Sequence, residues 1–233
     1  MDISIIIPTY NEEKYIGTCL KSLECQEYPG NYEVIVSDGS STDNTVAIAQ
    51  EHADRVIVDC KDTIAYGRQV GTHAARYSVL AFTDADTYIP PDWLGKLASS
   101  LGDRRVVGVH GKLLPLDGNR FENDFCNYVL PPYSQFMVDI NKPSVPGSNF
   151  AVRKKAFNKV KGFNTKLVTA EDVDLCNRIK RLGKFAYNPD AVVYVSTRRV
   201  RQWGYLKMLS FYTSNTIEYH TKGTSGRFFE PVR

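Results

Sequence analysis

The feature that most constrains this chain is the regular alternation, through roughly its first hundred residues, of strand-length apolar runs with segments of helical period. Ile3 to Ile7, Glu33 to Ser37, Arg55 to Asp59 and Val79 to Phe82 read as strands, and the stretches between them place apolar residues three and four apart. This pattern predicts a parallel sheet with crossover helices, because a parallel neighbour needs a connection long enough to return the chain to the same end. The class is α/β. Open sheets of this kind bind ligands beyond the carboxyl ends of their strands, so the loops after the apolar runs are where chemistry is expected.

Those loops are polar. Pro8-Thr9-Tyr10-Asn11-Glu12 follows the first run, Asp38-Gly39-Ser40-Ser41-Thr42-Asp43 the second, and Thr83-Asp84-Ala85-Asp86 the fourth. Asn11 is expected to cap the first helix, with Glu12 and Glu13 in its first turn and Tyr15, Ile16, Cys19, Leu20 and Leu23 on its inner face. Ser41 or Thr42 is expected to cap a second helix bearing Val46, Ala49 and Ala53. A third covers Ile64 to Tyr77, and Pro91 opens a fourth with Trp93, Leu94, Leu97 and Leu101 inside. Past residue 105 the alternation weakens. Val106 to Leu114 reads as a longer strand, Asp117 to Ser148 is rich in Asn, Pro and Tyr, and Phe150 to Val152 reads as a strand. Lys154 to Val160 and Glu171 to Leu182 read as helices, the second ended by Gly183, and Ala191 to Ser196 is a last strand.

A chain of 233 residues, 42% hydrophobic and 24% charged, suits one large globular domain. Its 29 basic and 26 acidic residues nearly cancel to a net charge of +3, so no nucleic-acid partner is expected. The five cysteines never fall at C-x-x-C spacing and read as reduced thiols of a cytosolic protein. The chain opens on Asp2 and a strand without a basic leader, and no run reaches the ~18 apolar residues a spanning helix needs. A cytoplasmic protein is expected, with any membrane role peripheral. Trp203 to His220 mixes aromatic and basic side chains, which fits a helix packed on the domain or one lying on an anionic membrane surface. Gly223 to Arg233 is a short polar and basic tail that is mobile or folds over the site.

Asp84 and Asp86, one residue apart in an extended segment, return to the same side of the chain and can converge on one divalent cation. Carboxylate oxygens suit magnesium or manganese, which fill the rest of their shell with water and substrate phosphate. Taken alone, the pair fits a solvated acidic loop better than a metal site.

In order along the chain, Ile5-Ile6-Ile7-Pro8-Thr9-Tyr10-Asn11-Glu12, Val36 to Asp43, Asp84-Ala85-Asp86 and Glu171-Asp172 resemble the motifs of glycosyltransferase family 2. There is partial similarity, through Pro8, Tyr10 and Glu12, to polyprenyl- and dolichyl-phosphate hexosyltransferases. The resemblance implies a GT-A fold, a central mostly parallel sheet flanked by helices. Residues 1–104 would mainly bind nucleotide, 105–197 mainly acceptor, and 198–233 would form a basic, aromatic helix and tail. It implies inverting transfer of a hexose from a UDP- or GDP-sugar to a glycan or lipid-linked acceptor, with Mn2+ or Mg2+.

The same resemblance assigns residues. Pro8, Thr9, Tyr10, Glu12 and Asp38 would hold the nucleotide, with Arg68, Asp84 and Ala85; Gln69 stands where the family more often has Asn after that arginine. Asp84 and Asp86 would bind the metal. Arg198, Arg199 and Lys112 would face the leaving diphosphate, for which planar guanidinium donors are well suited. Gly147, Ser148, Asn149 and Glu171 would lie on the acceptor side, and Asp172 would be the general base. Each has a plainer structural reading: Asp38 as a turn former, Arg68 as a solvated helix residue, Glu171 and Asp172 as acids at a helix N-terminus, and the arginines and Lys112 as a surface patch. The competing function is a non-catalytic nucleotide-sugar-binding or membrane-adaptor protein on the same fold.

Overall fold

The computed structural model describes residues 1–59 and 63–222. Eight strands form one sheet: β1 (Ile3–Thr9), β2 (Tyr32–Asp38), β3 (Arg55–Val58), β4 (Val79–Phe82), β5 (Thr87–Tyr88), β6 (Val106–Pro115), β7 (Phe150–Arg153) and β8 (Lys184–Val195). Their order is β3-β2-β1-β4-β7-β6-β8-β5. The first four are mutually parallel. Then β7 runs antiparallel to both β4 and β6, β8 lies parallel to β6, and β5 closes the edge antiparallel to β8. One sheet therefore runs through both halves of the chain.

The parallel strands read as continuous apolar runs because both faces are covered. Ile3, Ile5 and Ile7 alternate onto one face, packing with Leu20 and Leu23 of α1 (Ile16–Glu24) and Trp93, Leu94 and Leu97 of α4 (Trp93–Ser100). Ile6, Ile35, Leu80 and Phe82 point to the other face. There they meet Phe150, Phe157, Phe163, Leu175 and Ile179, and Phe82 stacks on Phe150 with ring centroids 4.6 Å apart. Complete burial of side chains of this size contributes about 1.5–3 kcal/mol each, which fixes the register of β1, β2 and β4, while β3 at the sheet edge is only partly buried.

Several helix boundaries differ from expectation. Asn11 does not cap α1; it adopts a left-handed φ of 54° and its side chain accepts from Thr42 N at 2.7 Å, so Glu12 and Glu13 lie in a turn before the helix. Neither Ser41 nor Thr42 caps α2 (Thr45–His52); Asp43 accepts instead from Thr45 N and Oγ1. α3 (Ile64–Ala74) stops short of Tyr77 because Ala75 turns extended. Asp117 to Ser148 contains a helical arm: α5 (Arg120–Asp124), a π-helical turn over Phe125–Val129, and α6 (Leu130–Asp139), with prolines tolerated in the first turn of α6. After α7 (Lys154–Lys159) comes α8 (Glu171–Ile179), which ends before Leu182, and β8 starts at Lys184 rather than Ala191.

The C-terminal basic region forms α9 (Arg198–Trp203) and α10 (Tyr205–Lys222), joined at Gly204. Tyr205 binds Asn119 and Glu122 of the helical arm, and Asn215 is buried, so α10 rests on the body while Leu206 is 85% exposed. Among the described residues no helix is long and apolar enough to cross a membrane. The Gly223 to Arg233 tail lies outside the described residues.

Candidate active site

The loop carrying Asp84, Ala85 and Asp86 leaves β4 and is pinned from behind. Ala85 is buried in the core, and Thr87 Oγ1 donates to Asp84 O at 2.7 Å. Ala85, expected against the nucleotide, thus turns its methyl group inward as an anchor. With the middle residue held, each of the two carboxylates meets an arginine.

Arg68 of α3 takes Asp84. Its guanidinium, 2% exposed, donates to Asp84 Oδ1 at 2.8 Å, to Glu171 Oε1 at 2.6 Å and to the carbonyl of Gly147 at 2.9 Å. It is neither solvated nor pointed at open space; it ties three distant segments together. A buried guanidinium is tolerable only because two carboxylates compensate it, and their charges raise its pKa despite burial. A methyl group on Gly147 would come within 2.6 Å of that guanidinium and 2.9 Å of Asp172 Oδ2, so the close approach requires glycine there.

Arg198 of α9 takes Asp86. It makes a two-pronged pair with Glu12, at 2.6 and 2.8 Å, lies 3.1 Å from Asp86 Oδ2 and stacks over the Tyr15 ring. Burial first, then the neighbouring Asp84, pushes the Asp86 carboxyl up to about 6 against the pull of Arg198. Glu12, expected at the nucleotide, is thereby engaged with Arg198.

Asp172 begins the third part of the site. Ala170 enters α8 with a left-handed φ of 62°, a conformation costing a non-glycine residue about 1–3 kcal/mol, and this aims Glu171 and Asp172 at the same cavity. Asp172 Oδ1 accepts from Val173 N at 2.7 Å. Burial raises the Asp172 carboxyl, opposed by Arg68. Burial and the adjacent Asp172 push Glu171 up to about 7.

Of these groups Arg68, Asp84, Glu171 and Asp172 line one cavity of about 510 Å³, while Asp86, Glu12 and Arg198 lie outside its lining. Arg68, Asp84, Lys112, Gly147, Ser148, Glu171, Asp172 and Arg199 all reach it. Lys112 is held by Asn127 Oδ1 at 3.1 Å. The structure does not bring Asn149 into this cavity. It is wholly buried, accepting from Trp93 Nε1 at 2.9 Å and donating to the carbonyls of Lys112 and Ala191, on either side of a register shift between β6 and β8. Its place is structural. Asp38 and Thr9 are also buried: Asp38 accepts from Thr9 Oγ1, Ser41 N and Ser41 Oγ, holding the loop after β2 rather than presenting a free carboxylate. Pro8 is half-buried beside Gly67, and Tyr10 is exposed at the end of β1.

The far wall is what the sequence did not reveal. Leu113, Leu130, Tyr133 and Tyr187 line the cavity from β6, the helical arm and β8. The fourfold spacing of Phe121, Phe125 and Val129 was the available signal for the arm, masked by the prolines and asparagines around it.

Among the described residues no three His, Cys, Asp or Glu side chains converge as a ready metal cage. A hard divalent cation that keeps water and phosphate ligands does not need one. Asp84 Oδ2 and Asp86 Oδ1 have no protein partner among the described residues, so each carboxylate has an oxygen to offer. The donor set fits such an ion when a diphosphate supplies the remainder.

The sequence model described as Glycosyl transferase family 2 matches residues 4–161. The glycosyltransferase AglE of Haloferax volcanii is 30% identical over an alignment of 196 residues that covers 78% of this chain and 62% of that protein, so the chain spans about three fifths of this relative. Among solved structures, Staphylococcus aureus TarS in complex with UDP-GlcNAc superposes with a TM-score of 0.69 at 24% identity, covering 84% of this chain and 58% of that one. The mannosyltransferase PcManGT of Pyrobaculum calidifontis, in complex with GDP-Man and Mn2+, gives 0.69 at 23% identity over 91% and 63%. Both likenesses show the shared fold.

Proposed function

Because this chain belongs to glycosyl transferase family 2, we propose that it transfers a hexose, with inversion, from a UDP- or GDP-sugar to a glycan or lipid-linked acceptor. The observation that carries this reading is the buried Arg68, which joins Asp84 to the Glu171-Asp172 helix start in the wall of one cavity. It sets the residue pair suited to a diphosphate-bound cation beside a carboxylate suited to activating a nucleophile. The structural neighbours bound to UDP-GlcNAc and to GDP-Man with Mn2+ support the donor class and the metal.

In this mechanism Asp84 and Asp86 would hold Mn2+ or Mg2+, which when bound would neutralise charge on the diphosphate. Tyr10, at the open end of β1, is the side chain best exposed to meet the nucleotide. The acceptor oxygen attacks the anomeric carbon while the bond from that carbon to the diphosphate breaks, and the diphosphate leaves with the electron pair. Asp172 takes the acceptor hydroxyl proton; one displacement inverts the centre and needs no second carboxylate as nucleophile. Arg198, already beside Asp86, and Arg199, on the cavity wall, stabilise the departing charge.

The test is release of nucleoside diphosphate by the chain incubated with Mn2+ and UDP-GlcNAc or GDP-Man, with and without acceptor. Manganese-dependent release supports the reading. No release, together with no thermal shift by any nucleoside diphosphate plus Mn2+, sinks it, since a ligand binding only the native state must stabilise it.

A further inference from the structure

The helical arm from Arg120 to Asp139 has no buried residue, yet it carries a long apolar face. Phe121 is 68% exposed, Tyr128 75% and Phe136 58%, with Phe125, Val129 and Ile140 exposed beside them. In a uniform α-helix each four-residue step overshoots a turn by about 40°, so such a row would spiral away. The π-helical turn, with Leu130 N donating to Phe125 O, absorbs part of that drift and keeps Tyr133 and Phe136 on the side of Phe121 and Phe125. The apolar row thus stays on one side of an arm about 30 Å long.

This face is continuous with the cavity. Leu130 and Tyr133 line the same space as Asp172, and Leu113, Val145 and Val173 continue the apolar wall inward. Tyr133 lines the cavity and is 48% exposed, which places it at the open side of that cavity.

We infer that cavity and arm form one track for an amphiphilic acceptor, its polar end at Asp172 and its hydrocarbon chain running out past Leu130 and Tyr133 along the arm. This rests on the transferase reading for the role of Asp172. The chemistry of the face selects the occupant. Phe121, Phe125, Val129, Phe136 and Ile140 have no side-chain donor or acceptor, so a glycan lying there would leave its hydroxyls unpaired, whereas a hydrocarbon loses nothing and gains burial. Arg120 to Asp139 contains one basic and three acidic residues, which disfavours docking on an anionic bilayer and leaves a single chain as the fitting partner.

The experiment measures binding of farnesyl phosphate and of inorganic phosphate to the full chain by calorimetry, with Val129→Ser and Phe136→Ser as variants outside the cavity lining. Farnesyl phosphate is expected to bind at least about tenfold more tightly than inorganic phosphate, and each variant to lose roughly tenfold for it. Binding of nucleoside diphosphate with Mn2+ should be unchanged in both variants. Equal affinities for the two phosphates, or variants that bind farnesyl phosphate like the parent, would overturn the track. So would variants that only convert a sedimenting dimer to a monomer, since the face would then be a contact between copies. A parent chain that binds farnesyl phosphate but no nucleoside diphosphate would keep the track and remove the transferase reading.

Discussion

Arg68 Nη2 lies 2.8 Å from Asp84 Oδ1, while the same guanidinium reaches Glu171, 103 residues further along the chain. One buried guanidinium therefore sets the separation between the loop of Asp84 and Asp86 and the helix start that carries Glu171 and Asp172.

Replacing Arg68 by Met should cost both fold and activity. Glu171 is buried and would lose its counter-charge, so a loss of about 3–5 kcal/mol is expected in urea unfolding. Nucleoside-diphosphate release should fall to background. A variant with parental stability would show that the cluster is not coupled as the geometry indicates.

Stability should respond to pH through Glu171. Its folded pKa of about 7 lies above the ordinary carboxyl value of 4.5, so the native state binds more protons than the unfolded state between those values. The contribution is fully present below about pH 4.5 and is lost as pH rises through about 7. The stability of the parent relative to Glu171→Gln should therefore be greater at pH 5 than at pH 7.5. A difference independent of pH would remove Glu171 as the titrating group.

Asp172→Asn separates the two acceptor chemistries. Transfer to a hydroxyl should fall by about 10²–10⁴, the usual worth of a positioned general base. A phosphate acceptor is already ionised, and transfer to it should survive in substantial part. Equal losses for both would mean that Asp172 holds geometry rather than a proton.

Asn149→Ala tests the structural place of that residue. Removing it leaves Trp93 Nε1 and the carbonyls of Lys112 and Ala191 without this partner, so unfolding free energy should drop by about 2–4 kcal/mol. Because the side chain does not face the cavity, the KM for acceptor should stay within about twofold when the variant is assayed well below its Tm.

The sequence by itself determined the α/β class, the four parallel strands β1 to β4 and the acidic loop at the end of β4. These follow from local rules: unbroken apolar runs demand burial on both faces, and the carboxyl ends of such strands collect polar loops. The spacing of Asp84 and Asp86 fitted one cation but did not set the pair apart from an acidic loop, and Asp172 was singled out only by the resemblance of four motifs in order along the chain. Helix caps were less legible, because Asn11 found its partner Thr42 in the neighbouring loop rather than in the helix it precedes, and Asp43 rather than Ser41 or Thr42 holds the first residue of α2.

Only the tertiary structure decided how the marked residues are joined. Arg68 to Glu171, Arg198 to Glu12 and Asn149 to Trp93 are contacts between segments far apart in the chain, made where strands from both halves meet in one sheet. No periodicity encodes such pairings. They arise because a charge or amide buried by packing must find a partner, and which partner is near depends on the completed fold. The same holds for the apolar arm, whose exposed face is meaningful only because the fold sets Tyr133 at the open side of the cavity that Asp172 lines.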